Sequence, residues 1–95
     1  METLDYSKFE VVIKEIEELS KEKNYEYGCE LLTRFGNFGV LMQLLQKTNK
    51  LKNFYNKEGK LKVDKEKLED TLKDIINYAI YMILQERGQL VNKTI

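Results

Sequence analysis

A chain of 95 residues, 42% hydrophobic and 34% charged, has the composition of one small globular domain, not of a disordered or membrane-embedded chain. With no histidine and one cysteine, Cys29, it excludes an internal disulfide, Ser–His and Cys–His nucleophile pairs and most zinc sites. Net charge is zero but unevenly placed, with nine acids against four lysines in residues 1–30 and eight lysines against three acids in 47–67. The basic stretch reads either as a solvated loop with its flanks or as a surface that faces phosphates, and the overall balance and the lack of a DNA-reading motif argue against nucleic acid as a partner.

The first helix is expected over about 7–23. "SKFE" reads as a capping box, with Ser7 as the cap and Glu10 answering from the third helical position, and Tyr6 and Val11 fit a hydrophobic staple. Phe9, Val12, Ile13, Ile16 and Leu19 recur at helical period and form one apolar face. "NYEYGCELLTRFGNFG" follows and reads as a loop with one short helical turn around Glu30–Arg34, its glycines at 28, 36 and 39 allowing backbone shapes that side chains forbid. Cys29 has no base beside it in the sequence and reads as a small loop residue.

A second helix is expected over about 37–54, then a lysine-rich connection in which "KLKV" can pair briefly. Asp64 caps a third helix of about 65–87, and Gly88 ends it. The fold class is therefore all-α, a small bundle of three to four helices in a single domain spanning 1–95. "DIINYAIYMIL" is apolar on nearly every side, and a helix of that kind needs cover all round. Two partner helices are poor cover, so a homo-oligomer, dimer or tetramer, is expected with the third helix near its interface. No apolar run approaches the roughly 20 residues of a membrane span. "METLDYSKFE" lacks the basic-then-apolar layout of a signal peptide. The expected location is the cytoplasm, with no membrane partner.

Polar residues on two helices form the candidate site. On a helical wheel Gly39, Gln43, Gln46, Lys50 and Asn53 share one sector about 80° wide. Asn49 lies apart, between Phe38 and Met42 on an apolar side, where burial demands partners for its amide. On the third helix Asp70, Asp74, Asn77 and Tyr81 share a sector of about 60°. Asp70 and Asp74 are one turn apart, so their carboxylates repel unless a cation lies between them, and oxygen ligands on one face suit Mg²⁺ or Mn²⁺. Glu15, Glu18 and Glu22 share a face of the first helix that reads as solvated.

"KNYEYG", "FGNFGVLMQLLQKTNKLKNF" and "EDTLKDIINYAI", in that order, resemble the phage and bacterial nucleotide-modification-associated domain of unknown function. That family is similar to the all-α, MazG-like nucleoside triphosphate pyrophosphohydrolases. The resemblance implies a helical, oligomeric fold in which acidic residues hold magnesium that grips a nucleotide's phosphates. It carries metal binding to Asp70 and Asp74, with Asn77 matching the motif and Glu69 beside it. Lys47, Asn49 and Leu51 match the middle helix, and Lys50 stands at a usual basic position. The chain departs at Gln43, where an arginine is typical, and at Gln46, where an aspartate is typical. Losing that carboxylate weakens a magnesium site while leaving an amide able to hydrogen-bond a ligand.

The expected function is nucleotide binding on a MazG-like fold with weakened or lost hydrolysis, in a phage setting the sequestration of a nucleotide signal of host defence. Tyr25 or Tyr27 stacks the base, Arg34, Lys47 and Lys50 meet phosphates, and Gln43, Gln46, Asn49, Asn77 and Tyr81 complete the contacts. The alternatives are a Mg²⁺-dependent nucleotide pyrophosphohydrolase using Asp70 and Asp74, and a phage interaction protein that inhibits a host enzyme.

Overall fold

The computed structural model describes residues 2–27 and 30–89, with side chains described outside 24–34. Three helices follow in order: α1 (Tyr6–Tyr27), α2 (Glu30–Lys52) and α3 (Lys65–Glu86). Among the described residues the only strand-like pairing is one isolated antiparallel bridge, Tyr55 with Leu61. None of the described helices is long and apolar enough to cross a membrane.

The start of α1 corrects the expected cap. Asp5, not Ser7, closes the helix: its carboxylate accepts from the Ser7 N–H at 3.0 Å and from the Ser7 hydroxyl, at 2.6 Å. Its carbonyl takes the N–H groups of Lys8 and Phe9. Both residues are good caps, but only Asp5 precedes the first helical residue and reaches the amide two positions on. The hydrogen bonds from Ser7 hold the Asp5 carboxyl below its ordinary range. At its other end α1 runs four residues past the expected limit, because nothing in "NYEY" breaks it.

α2 is helical from Glu30, so the short turn expected at Glu30–Arg34 is its first segment. Gly36, at φ 58° and ψ −150°, interrupts it. That backbone region is essentially confined to glycine. Helical geometry resumes at Asn37, where the second helix is expected to begin. Gly39 is buried, and Gly28 and Cys29 lie outside the described residues.

α2 ends at Lys52 and the chain turns through a miniature hairpin. Lys62 N–H donates to Phe54 C=O at 2.7 Å and Asn56 N–H to Lys60 C=O at 2.9 Å. The Asn56 side chain accepts from the N–H groups of Glu58 and Lys60 and so shapes the turn. This is the brief pairing that "KLKV" suggests. Asp64 then caps α3 as expected, accepting from Lys67 N–H at 2.8 Å. At the far end Gln89 N–H reaches Leu84 C=O, and Gly88 N–H reaches Gln85 C=O with Gly88 at φ 64°. That pair of bonds is a Schellman termination.

α2 and α3 form the main pair and run antiparallel. Asn37 donates to Met82 C=O at 3.2 Å and to Glu86 at 2.7 Å near one end, and Lys47 meets Asp74 in the middle. α1 lies against α3 through Lys73–Glu15 at 2.9 Å and Ser20–Tyr81 at 2.7 Å. Among described residues the buried hydrophobic side chains are Ile16, Val40 and Phe54. The apolar face of α1 is therefore mostly uncovered: Ile16 is buried and Leu19 half-buried, while Phe9, Val12 and Ile13 are exposed. Phe38, at 70% exposure, lies with Leu41, Met42 and Leu45 on an open side of α2. Leu72, Ile76, Ile80 and Ile83 do the same on α3.

Candidate functional site

The capped start of α3 and the last turns of α2 enclose an open cleft of about 360 Å³, lined by Lys47, Lys50, Asp64, Glu66, Lys67, Asp70, Thr71 and Asp74. Helical spacing builds the α3 wall: residues 67, 70, 71 and 74 recur at three- and four-residue intervals and share one face. Thr71 is buried and its hydroxyl donates back to Lys67 C=O at 3.0 Å, so it is committed to its own helix.

Asp74 is the centre of the charge network. Its side chain is 15% exposed, and one oxygen takes the Lys47 ammonium at 3.2 Å while the other takes Lys23 of α1. One carboxylate thus joins all three helices. Burial pulls the Lys23 ammonium down, but the hydrogen bond and charge of Asp74 outweigh it and hold Lys23 above its ordinary value. At the α3 end of the cleft the ring of buried Phe54 lies 6.0 Å from the Lys50 ammonium and 5.7 Å from that of Lys67. These are cation–π distances, and they tie two cleft lysines to one core side chain.

The structure brings together part of the expected constellation. Lys47, Lys50, Asp70 and Asp74 share the cleft, with Asp70 exposed at its lip. Gln43 is half-buried and Gln46 exposed, and neither lines it. Asn49 is exposed, which corrects its expected burial: the Phe38–Met42 side of α2 has no cover within the described chain. Asn77 is 4% exposed, away from the cleft, and its Nδ2 has no acceptor among the described residues. Tyr81 is held by Ser20 and stacks edge-on against Tyr78 at 6.3 Å between ring centroids. The side chains of Tyr25, Tyr27 and Arg34 lie outside those described.

Sequence reasoning passes over Lys67 and Lys23. Lys67 carries a usable signal, since it lies on the face of Asp70 and Asp74. Lys23 carries none, because only the tertiary approach of α1 brings it to Asp74. Glu15, on a face that reads as solvated, is exposed but bound to Lys73. That hydrogen bond raises the Lys73 ammonium against its partial desolvation.

The acidic pair does not fit the magnesium that the resemblance implies. Both oxygens of Asp74 face ammonium groups, so a divalent ion arriving there has to displace two lysines. Among the described residues no three His, Cys, Asp or Glu side chains gather into a metal-binding group.

Fold and site together define a small all-helical domain whose paired helices present lysines and carboxylates to one cleft. Residues 35–85, more than half of the chain, match the family described as nucleotide modification associated domain 1, and the chain belongs to that family. The matched span begins one residue before the Gly36 break and takes in every residue lining the cleft. No curated protein and no solved structure matches the chain.

Proposed function

We propose that this protein binds a nucleotide by its phosphates in the cleft between α2 and α3. The observation that carries this reading is the convergence of Lys47, Lys50 and Lys67 on one open cleft within the span that matches the family. Ammonium groups meet phosphate oxygens in short, charge-assisted hydrogen bonds. The base is left to residues other than those that line the cleft, with Tyr25 or Tyr27 the sequence's candidate to stack it and Arg34 a further candidate for the phosphates.

Calorimetric titration with nucleoside mono-, di- and triphosphates and cyclic nucleotides tests the reading. Saturable binding is expected, and Lys47→Gln or Lys50→Gln should each weaken it by about tenfold, as loss of one charged hydrogen bond does. No heat from any of these nucleotides would remove the proposal. Release of phosphate or pyrophosphate during the same titration replaces simple binding by hydrolysis.

The working unit in this proposal is a homo-oligomer. Phe38, Phe9 at 47% exposure and Ile83 at 50% lie on faces with few charges, and a single chain of three helices leaves them wet. With net charge zero, two copies do not repel as wholes. Light scattering at micromolar concentration should give the mass of two or four chains, and Phe38→Glu should lower it. A monomer at all concentrations contradicts this part.

A further inference from the structure

We infer that the cleft takes phosphate directly on its lysines, without a divalent ion, and that Asp74 is the internal anion which the ligand displaces. The inference rests on the reading of the cleft as a phosphate site and assigns Asp74 a role opposite to that of a metal ligand.

The pairing at Asp74 points to an exchange. Lys47 and Lys50 of α2 and Lys67 of α3 line the cleft together with Asp64, Glu66, Asp70 and Asp74, and Lys23 reaches Asp74 from α1. Four cations and four carboxylates balance in number, but the two ammonium groups that a carboxylate holds are Lys23 and Lys47. A phosphate that uses either of them takes over an ammonium group that Asp74 already holds. Asp74 is the group it relieves, because two lysines from two different helices converge on its oxygens. That convergence holds Lys23 and Lys47 close together, the spacing one phosphate can span. Their exposure fits an exchangeable pair: the Lys23 and Lys47 side chains are 43% and 26% exposed. They can pivot without unpacking the helices. Phe54 keeps Lys50 and Lys67 nearby throughout.

A metal ligand and an internal competitor respond oppositely to loss of charge. Removing a ligand carboxylate costs the ion and the phosphate it grips. Removing a competing carboxylate a few ångströms from the phosphate relieves a repulsion, expected to tighten binding by about tenfold at a partly exposed site.

The test titrates the full chain with inorganic pyrophosphate, in EDTA and again with Mg²⁺, for wild type, Asp74→Asn and Asp70→Asn. Far-UV circular dichroism checks folding; Asp70 lies at the exposed lip, so that variant carries the test even where Asp74→Asn does not fold. The expected result is wild-type binding in EDTA, about tenfold tighter binding in either variant, and no gain from Mg²⁺. Binding that needs Mg²⁺, or that either folded variant abolishes, overturns the inference and leaves the nucleotide proposal standing. Metal-free pyrophosphate binding that no nucleotide reproduces upholds the inference and removes the nucleotide. A wild type that binds neither, with or without Mg²⁺, overturns both.

Discussion

Phe54→Ala should lower the stability of the domain by about 3–5 kcal/mol, the range for truncating a buried phenylalanine. Phe54 is 4% exposed and stands where α2 gives way to the miniature hairpin, its carbonyl accepting from Lys62. Alanine leaves a void there, and it also releases the lysines at positions 50 and 67 from the ring that lies 6.0 and 5.7 Å from their ammonium groups. A chain of this length has a total stability of about 5–14 kcal/mol, so the variant is expected to sit close to unfolding. Urea unfolding followed by circular dichroism measures the loss. Phe54→Leu separates packing from site: it refills most of the void and should recover most of the stability. It cannot restore the cation–π contacts, each worth about 0.5–1 kcal/mol at exposed sites, and phosphate binding should stay weakened. A Phe54→Ala variant within 1 kcal/mol of wild type contradicts the placement of the ring, since that loss is below the range of about 3–5 kcal/mol for a buried phenylalanine.

Gly36→Ala should cost about 1–3 kcal/mol, reduced by the 0.4–1 kcal/mol or so that alanine gains by restricting the unfolded chain. The cost is entirely conformational. A Cβ built on Gly36 meets nothing within 4 Å, so crowding plays no part. What opposes the methyl group is the backbone at φ 58° and ψ −150°. The mirror of that geometry is an ordinary extended conformation for an L-residue. A chemically synthesised chain with D-alanine at position 36 should therefore unfold at or above the wild-type midpoint, while the L-alanine chain unfolds below it. Equal losses from both enantiomers would show that the break in α2 is not set by this dihedral.

α3 was legible in the sequence almost to the residue, because Asp64 and Gly88 are local signals whose partners lie within five positions. The loop expected over 24–39 is instead helical over 24–27 and again from Glu30, and Gly36 alone interrupts α2. The first cap was not legible: Ser7 and Glu10 satisfy the capping pattern as well as Asp5 does, and only the path of the chain decides between them. Of the expected constellation, Lys47, Lys50, Asp70 and Asp74 come to one cleft. A helical wheel gives angular positions on one helix but not which angle faces a neighbour. The sector of Gln43, Gln46 and Lys50 therefore reads as the lining, whereas α2 brings Lys50 alone of these three to the cleft, turns Lys47 toward Asp74 and leaves Gln46 in solvent. The same limit explains Asn49, whose apolar neighbours suggested burial although no described element covers them. Lys23 shows the rest of the difficulty, since a contact 51 positions apart leaves no trace in local spacing.

The central claim is that phosphate is received between α2 and α3, and a chemical-shift map of the isotope-labelled chain titrated with a nucleoside triphosphate tests it most directly. Saturable shifts should gather at Lys47, Lys50, Lys67 and Asp74, carry over to Lys23 on α1, and leave Phe38 and Met42 unmoved. Shifts that saturate elsewhere with the cleft silent, or none up to millimolar nucleotide, contradict the account.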